Sequence, residues 1–476
     1  MKNKAVMVSV FAFSLVSLAA CTESSSSSGA PPTPTPPEGG TVSATAPDLD
    51  AMAKGGDCGA ASGPGVDHSG DITSDQTWKA SEGVHRVTSN LRVLANVTVE
   101  ACARVEVGAG LQIQVGGTTP GKLVTRGTNA GSLRPVVFTA ADAASPWSSV
   151  VVDVNGAADL AYTVLSSGDA ANRQQNGGGI LRAFGASSAS TKAAPTIQRS
   201  VRADWLLLEA SAGPGANMRD YAGFTEDSTG LAVRSAQGDA LVIELGAAPS
   251  LPKELVFQGN ARDAIVLEEQ ARGTITTTLV KRSAPYAVDG RIFIQPIEDG
   301  DAVTLNVEPG VTVRFGEGRG ATGGVYVGAS DQRQGQVIAR GTAEEPIRFT
   351  SAKAAPAAGD WVGFYFRHYP ASGTSFENVV IEYAGANSSS VGAGCGPSDN
   401  DASMLIVGQR PSDAWVKKST FRDGGGETGI VLGWTSDESG PDFVGDNTFE
   451  NMPGCRASRW RTVTAGPCPS GGPTCL

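Results

Sequence analysis

The sequence predicts an all-β protein of the right-handed parallel β-helix type, a solenoid made of two related units in tandem. Three observations support this fold class: many short runs with alternating apolar residues, no sustained helical periodicity, and a long internal repeat. The runs are three to six residues long, rich in β-branched residues and bounded by Gly, Asn, Asp or Pro; examples are VTLNV, VTVRF, QVIA, IRFT, VVIEY and GIVL.

The shortness of the runs and the lack of helices between them favour a solenoid. Parallel strands of an ordinary sheet are joined by crossover helices, and no helix of that length is predicted here. In a parallel β-helix, short strands instead stack coil upon coil, about 4.8 Å apart. Inward side chains then form aliphatic ladders, and Gly or Asn occupies the turns that require a positive φ.

The alternation also predicts which side chains face inward in the best-preserved coil. Val379, Ile381 and Tyr383 fall on one face, and Val380 and Glu382 on the other. Phe421 is expected in the core, and Lys417 and Lys418 are expected to straddle a corner.

A pair of β-sandwiches is the structural alternative, but it needs regular hairpin turns, and only Asp289-Gly290 and Asn155-Gly156 resemble them.

The internal repeat divides the body of the chain into two units. Residues 97–110 (VTVEACARVEVGAG) resemble residues 305–318 (LNVEPGVTVRFGEG), and residues 121–128 (GKLVTRGT) resemble residues 335–342 (GQVIARGT). Trp147 corresponds to Trp361. We place unit 1, a degraded copy, at residues 56–284 and unit 2 at residues 285–476. The sequence leaves open whether the units form one continuous rod or two, and the strand-like runs that open both units, near Val84 and Tyr286, favour two separate rods.

Unit 2 resembles the right-handed parallel β-helix repeat proteins of bacterial surfaces, many of which are lipoproteins. The resemblance rests on Glu308-Pro309-Gly310 before an aliphatic strand, on the run GTAEEPIRFTS (341–351), on Trp361 two residues before Gly363, and on a strand that ends in Tyr-Ala-Gly (383–385). It implies the fold. It implies no particular chemistry, because that fold hosts lyases, epimerases, adhesins and passive scaffolds.

The N-terminus carries features of an exported protein. Lys2 and Lys4 precede an apolar stretch (6–20) that is too short to span a bilayer stably. The stretch ends in Leu-Ala-Ala-Cys (18–21), which resembles the bacterial lipobox. That resemblance implies a signal peptide at 1–20, lipidation of Cys21, and anchoring of the chain to a membrane. The alternative is an ordinary signal peptide followed by an incidental cysteine.

A Ser/Pro-rich tether at 21–55 follows the lipobox, as a lipid-anchored body requires. Thr22 is not the aspartate that retains many lipoproteins at the inner membrane. By resemblance, the expected location is the outer membrane or the cell surface of a Gram-negative bacterium.

Cysteine usage agrees with export, because disulfides form in the periplasm and outside the cell. Besides Cys21 there are six cysteines: Cys58, Cys102, Cys395, Cys455, Cys468 and Cys475. We pair the two isolated ones at the start of the body, Cys58 with Cys102. The other four allow three connectivities, which the sequence leaves open, and we expect them to staple the last coil. Their segment has no CxxC and no histidine, which disfavours zinc.

The formal net charge of the 476-residue chain is −11, without clustered basic residues. Nucleic acid is therefore not an expected partner. Polyanionic saccharides are also disfavoured, unless a local basic groove overrides the average charge.

No motif of a known catalytic site appears in the sequence. There are three histidines, and neither HExxH nor GxSxG is present. The leading hypothesis is a non-catalytic surface scaffold or binding module, with a polysaccharide or a partner protein as ligand. The alternative is an anchored polysaccharide lyase or epimerase. That enzyme would need carboxylates on neighbouring coils beside a base such as Arg410 or Arg422, with Asp423 in the group.

Two sets of residues are candidates for ligand binding. Trp361, Trp415, Trp434 and His368 could stack on or bond to sugar rings, although for the tryptophans anchoring of turns in the core is the favoured interpretation. Asp399 and Asp401, in PSDNDAS, resemble a calcium loop in their oxygen content, although a polar loop explains the same residues. No other cofactor is expected.

Overall fold

The computed structural model describes residues 46–169, 178–186, 196–268, 275–296, 299–300, 302–316, 323–367, 370–387, 401–408, 410–434, 440–461 and 473–476. These residues belong to one compact unit. Within them there is one α-helix, α1 (Leu49–Ala53), and there are two 3₁₀ turns, Ala80–Glu82 and Leu245–Ser250. None of the described helices has the length and apolar character needed to cross a bilayer.

The first part of the chain forms eighteen described strands, all in one long sheet. Their bounds are β1 (Val66–Ile72), β2 (Gln76–Trp78), β3 (Val84–Val93), β4 (Asn96–Glu100), β5 (Arg104–Val107), β6 (Ile113–Val115), β7 (Gly121–Arg126), β8 (Val136–Ala140), β9 (Val150–Val152), β10 (Gly156–Ser166), β11 (Leu181–Phe184), β12 (Gln198–Glu209), β13 (Ala216–Arg219), β14 (Ala222–Phe224), β15 (Gly230–Arg234), β16 (Asp239–Glu244), β17 (Glu254–Gln258) and β18 (Arg262–Glu268).

The rest of the chain separates into three sheets. The long sheet continues through β20 (Tyr286–Val288), β23 (Thr312–Phe315), β26 (Ile347–Ser351), β29 (Val379–Glu382), β32 (Thr420–Arg422) and β34 (Thr448–Glu450). The first side sheet contains β19 (Thr277–Leu279), β22 (Ala302–Val307), β25 (Gln334–Arg340), β28 (Ser375–Glu377) and β31 (Val416–Lys417). The second side sheet contains β21 (Arg291–Ile294), β24 (Gly324–Val327), β27 (Phe364–Phe366), β30 (Ala402–Gly408), β33 (Thr428–Trp434) and β35 (Cys455–Arg459).

Each coil of this second part takes one strand from each sheet, as in β22, β23 and β24, and then β25, β26 and β27. All strand pairings between successive coils are parallel; for example, Phe349 pairs with Ile381, which pairs with Phe421. The predicted right-handed parallel β-helix is confirmed. The runs VTLNV, VTVRF, QVIA, IRFT, VVIEY and GIVL all form strands where the alternation placed them.

Stacked apolar residues fill the interior of the coils. One ladder runs through ten successive strands, and every member is buried: Ile72, Val93, Val115, Val152, Ala183, Met218, Ile243, Leu267, Val288 and Phe315. Val379, Ile381 and Phe421 face inward as predicted. Burial of such ladders is the main favourable contribution to folding, at about 25 cal/mol per Å² of apolar surface.

That ladder also corrects the expectation of two separate rods. Leu267 of β18 pairs with Val288 of β20, so strand stacking passes from unit 1 into unit 2 without a break. Thr277 and Leu305 likewise pair across the same region in the first side sheet. Two copies of one coil type stack on each other because both expose the same strand edges. The division into units at residue 284 stays a prediction.

Corners between the sheets are stacked as well. Lys418 lies between β31 and β32 with φ 50°, which confirms the predicted corner, and Asn378 takes φ 49° one coil earlier. On the other side of the long sheet, Tyr383, Asp423 and Asn451 have φ values of 62°, 53° and 51°.

Residues other than Gly and Asn tolerate these angles because hydrogen bonds between coils hold them. The backbone N–H of Lys418 donates to Asp446 O at 2.9 Å, and that of Asp423 donates to Glu450 O at 3.1 Å.

The C-terminal edge of the rod is closed by a disulfide-stapled tail. Cys455 at the start of β35 is bonded to Cys475, and Ser458 forms an antiparallel bridge with Cys475. The Leu476 N–H donates to Ala457 O at 2.9 Å. The tail thereby covers an edge that would otherwise offer unpaired backbone groups. The structure pairs Cys455 with Cys475, and Cys395 and Cys468 lie outside the described residues.

The N-terminal end of the described chain runs along the outside of the rod. We call residues 46–58 the N-terminal strap. It contains α1, capped by the Asp48 carboxylate, which accepts the Asp50 and Ala51 N–H groups. The strap ends at the Cys58–Cys102 disulfide, with the Cα atoms 5.4 Å apart, so the predicted pairing is confirmed.

Candidate functional site

A cavity of about 660 Å³ lies at the outer end of the first side sheet, in unit 2. We call it the corner cavity. Its walls are the segment 370–374 before β28 and the segment 410–415 before β31, and its base is formed by the strand ends at Arg340, 375–377 and Lys417. Both wall segments carry Pro, Ser, Gly or Asp, which favour turns over strands, so the chain leaves the sheet in both coils and a concavity remains between them.

The base of the corner cavity is aromatic. Phe376 is fully buried, and Trp415 is 7% exposed, with their ring centroids 5.7 Å apart. Trp415 also packs against Phe366 at 4.7 Å. Of the predicted sugar-contacting residues, Trp415 is one that lines this cavity. Its ring is buried, however, so it supports the cavity from below and is not exposed for stacking on a sugar.

The walls of the corner cavity carry more positive than negative charge. Three basic side chains, Arg340, Arg410 and Lys417, line it together with two carboxylates, Glu377 and Asp413. Arg340 Nε donates to Ser375 Oγ at 3.1 Å, and Asp413 accepts the Ser412 hydroxyl at 3.0 Å.

The Glu377 carboxylate is neutralised within the protein. Lys418 Nζ bonds to it at 2.8 Å from the rim of the corner cavity. This hydrogen bond and the charge of Lys418 lower the pKa of Glu377, and Arg340 and Lys417 lower it further. Glu377 is therefore ionised at neutral pH and cannot act there as a general acid. With Glu377 neutralised by Lys418, the cationic groups of Arg340 and Lys417 favour an anionic ligand.

Two of the other predicted sugar-contacting residues lie in the core. Trp361 is 0% exposed, stacks on Phe315 at 4.2 Å, and donates its indole N–H to Glu382 O at 2.8 Å. Trp434 is 5% exposed, with the Arg459 guanidinium 5.1 Å from its ring centroid. Both residues therefore lie where the favoured core interpretation placed them, and neither ring is available at the surface to stack on a sugar.

Other predicted residues cannot be placed. Cys21, His368 and Asp399 lie outside the described residues, and Asp401 directly precedes β30. Within the described ranges, no group of three or more His, Cys, Asp or Glu side chains is arranged to hold a metal ion. Calcium binding by Asp399 and Asp401 stays a prediction.

The acid and base grouping that a lyase would need does not form around Arg422 and Asp423. Arg422 instead bonds to Glu382, with Nε 2.6 Å from its carboxylate, and Arg348 bonds to the same carboxylate at 2.7 Å. Asp423 accepts a hydrogen bond from Asn451 Nδ2 at 2.9 Å. Burial by itself would raise the pKa of Glu382, but the bonds from the two guanidinium groups outweigh it and lower that pKa. Glu382 therefore stays ionised and serves as a link between coils.

A different acidic and basic group lies on the outer face of unit 1, where sequence reasoning did not find it. Arg202 contacts three carboxylates: Asp159 at 2.9 Å, Asp227 at 2.7 Å and Asp204 at 3.6 Å. Asp159 and Arg202 are register partners on β10 and β12. The sequence did not predict this grouping because the residues come from different coils, and the lengths of the coils cannot be read from the sequence.

Comparison with known proteins supports the fold. Residues 273–400 match the family of pectate-lyase-like β-helix domains. No curated protein and no solved structure matches the chain. The matched range contains Arg340 and Glu377 of the corner cavity. The match supports a parallel β-helix.

Proposed function

We propose that this protein is a cell-envelope lipoprotein whose β-helix is a non-catalytic module that binds saccharides with acidic groups. The corner cavity holds the acidic sugar unit, and the rod presents it away from the membrane. The observation that carries the proposal is that Arg340 and Lys417 line this cavity while Lys418 neutralises the Glu377 carboxylate, on a chain whose formal net charge is −11.

The chemistry of the walls suits an acidic sugar. Arg340 and Lys417 are exposed and supply donors that strengthen when the acceptor is charged. Ser372 and Ser375 also line the cavity, and their hydroxyl groups suit the hydroxyls of a sugar ring. The family match at 273–400, to domains named for their likeness to pectate lyase, supports a saccharide over a protein partner.

Anchoring rests on the sequence. The lipobox-like Leu-Ala-Ala-Cys and the Ser/Pro-rich tether support attachment through lipidated Cys21. Replacement Cys21→Ser should release the full-length protein from the membrane fraction. Continued membrane retention of that variant would contradict the anchor without affecting the binding proposal.

The binding proposal is tested with the compact body, residues 40–476, on an array of neutral and acidic bacterial glycans. We expect acidic glycans to bind and neutral analogues to fail, with affinity falling as salt rises. Lys417→Gln should weaken binding by about tenfold, the loss expected for one charge-assisted contact. Lys122→Gln is the matched control, because Lys122 is an exposed lysine on β7 in unit 1.

Binding of neutral glycans alone would overturn the proposal. So would acidic-glycan binding that Lys417→Gln and Arg340→Gln leave unchanged.

The second candidate is an anchored polysaccharide lyase or epimerase, favoured by the convergence of Asp159, Asp204 and Asp227 on Arg202. If that group is catalytic, the body should depolymerise or epimerise an acidic polysaccharide. Arg202→Gln would abolish the activity, and Lys417→Gln would spare it. Turnover that disappears with a chelator would add a metal ion to the mechanism.

A further inference from the structure

The N-terminal strap is held on the outer surface of the rod by a small number of contacts. Met52 of α1 is fully buried against outward-facing apolar side chains of the long sheet, namely Val164, Trp205, Leu207, Ala232 and Val256. Asp50 bonds to Arg234 at 2.6 Å, and the main chain of Asp57 donates to Leu133 O at 2.7 Å. A helix of five residues is not stable in isolation, so the strap depends on these contacts and on the Cys58–Cys102 disulfide.

The segment after the strap is suited to movement. Residues 59–65, with the sequence GAASGPG, join Cys58 to β1, and residues 59–64 are exposed. Gly- and Ser-rich segments of this kind behave as flexible connections. The disulfide is therefore the covalent bond that fixes the end of the strap to the coil containing Cys102.

The two sulfur atoms of this disulfide have different surroundings. Arg134 Nε donates to Cys102 Sγ at 3.4 Å. Cys58 Sγ lies 3.9 Å from Pro135 O, a neutral acceptor. Both cysteines are partly exposed. A guanidinium group favours a thiolate on the sulfur it contacts, so Cys102 is the better leaving group and Cys58 the better point of attack.

We propose that Cys58 Sγ is a thiol–disulfide exchange site for a dithiol reductant, with Cys102 Sγ leaving as a thiolate beside Arg134. A thiolate of the reductant attacks Cys58 Sγ, the bond to Cys102 Sγ breaks, and its electron pair passes to Cys102. The second thiol of the reductant then attacks the mixed disulfide and releases Cys58. The reductant becomes a disulfide, and the protein gains two thiols, one of them ionised.

The C-terminal disulfide offers an internal comparison. Cys455 is 4% exposed, and its sulfur lies 3.7 Å from Pro473 O. Among the described residues, no basic side chain bonds to it. Attack on exposed Cys475 would leave a thiolate on buried Cys455, which burial disfavours. Exchange is therefore directed to Cys58–Cys102.

Opening the Cys58–Cys102 bond has a structural consequence. The strap loses its covalent attachment, and residues 46–58, whose first part overlaps the predicted tether (21–55), can extend the Ser/Pro-rich segment that precedes residue 46. In the anchored protein this lengthens the reach of the body from the membrane. That consequence rests on the proposed anchor, whereas the exchange reaction does not.

The exchange site is tested on the full-length protein in detergent. Glutathione is added under conditions of partial reduction, the reaction is quenched by acid, and mixed disulfides are mapped by mass spectrometry. We expect glutathione on Cys58, and we expect dithiothreitol to reduce Cys58–Cys102 at least tenfold faster than Cys455–Cys475, as the difference in leaving-group stability implies. Glutathione on Cys102, or equal rates for the two bonds, would overturn the proposal.

Variants of Arg134 separate a direct role from general electrostatics. Arg134→Gln should slow the exchange by about threefold to tenfold, and Arg134→Lys should restore part of the rate, because a charge near Cys102 Sγ returns. Arg104→Gln is the matched control, because Arg104 is exposed two residues from Cys102 and pairs with Glu106. Equal slowing by Arg104→Gln, or no slowing by Arg134→Gln, would contradict the assigned role.

Release of the strap has its own readout. Hydrogen exchange in residues 46–58 should rise on reduction, while exchange in β10 and β12 stays slow. Unchanged protection of the strap would limit the proposal to the chemistry at Cys58 and overturn the change in reach. Saccharide binding to the body should be unaffected, so failure here is distinguishable from failure of the proposed function.

Discussion

Trp147 and Trp361 occupy corresponding places in the two halves of the rod and make the same hydrogen bond. Both are fully buried, and each indole N–H donates across 2.8 Å to a main-chain carbonyl oxygen, of Ser166 or Glu382. Positive φ values recur beside these acceptors, at Ser167 (58°) and Tyr383 (62°). The two tryptophans are therefore core anchors that hold one coil to the start of the next.

Truncation of Trp361 should destabilise the rod severely. Trp361→Ala removes a buried ring stacked on Phe315 and leaves a cavity, which costs about 3–5 kcal/mol in unfolding free energy. Trp361→Phe keeps an aromatic ring but leaves the Glu382 carbonyl oxygen without the indole hydrogen bond. It should lower the unfolding free energy by about 1–3 kcal/mol. Denaturant unfolding followed by circular dichroism checks both values. A Trp361→Ala variant of wild-type stability would show that the ring lies outside the core.

Gly310 should not tolerate a side chain. Its φ is 74°, and Cys102, the equivalent residue in the other copy of the repeat, has a φ of 65°. A Cβ at Gly310 would also meet the Lys281 side chain at 3.1 Å. We expect Gly310→Ala to lower the unfolding free energy by about 1–2 kcal/mol. Gly59→Ala is the control, because a Cβ there meets nothing within 4 Å. Equal melting temperatures for the two variants would contradict this account of the corner.

Glu244 should make the rod less stable as the pH rises through neutrality. Burial raises its pKa from 4.5 to about 7, and register partner Glu268 adds to the effect, although the Tyr221 and Asp220 N–H groups partly oppose it. The folded state therefore holds a proton that the unfolded state loses above pH 4.5. The stability from this site is full below pH 4.5 and lost as the pH approaches about 7, a loss of about 2–3 kcal/mol.

The measurement for Glu244 is unfolding free energy from pH 4 to 8 for wild type and Glu244→Gln. The amide cannot ionise, so the variant should lack this part of the pH dependence and be the more stable protein at pH 8. An unchanged pH profile in Glu244→Gln would disprove the assignment.

His68, in the N-terminal coil, should make the rod less stable as the pH falls, which is the opposite of the effect of Glu244. Its Nε2 lies 3.0 Å from His85 Nδ1, and its ring stacks on Trp78 at 4.0 Å. Burial, and then the neighbouring His85, lower the pKa of His68 from 6.5 to about 4. Its stabilisation is therefore full above pH 6.5 and lost as the pH falls to about 4, by roughly 1–2 kcal/mol after allowance for partial exposure.

Titration of His68 by NMR checks this value directly, and His68→Gln should remove the acid-side loss of stability. A His68 that titrates near 6.5 would contradict the buried pair. Because the pH windows of His68 and Glu244 overlap and their effects oppose, each is read from its own variant.

Much of the fold could be predicted from short-range patterns in the sequence. Alternation located the strands around Val379–Glu382 and the inward position of Phe421, because side chains of a strand alternate whatever it packs against. The Cys58–Cys102 pair followed from isolation of these cysteines in the chain. The tryptophans were ambiguous, since one residue type serves both cores and sugar sites, and only the tertiary structure shows that Trp361 and Trp434 are buried.

The sequence by itself determined the kind of coil, its inward ladders and several of its corners, all of which depend on residues close together in the chain. Only the tertiary structure decided that the two halves stack as one rod, that the strap lies on the outer face, and that Arg340, Lys417 and Glu377 meet in one cavity. The physical reason is that coils differ in length. Residues that meet across coils are separated by stretches of variable size, so their contacts arise from stacking and cannot be read from spacing.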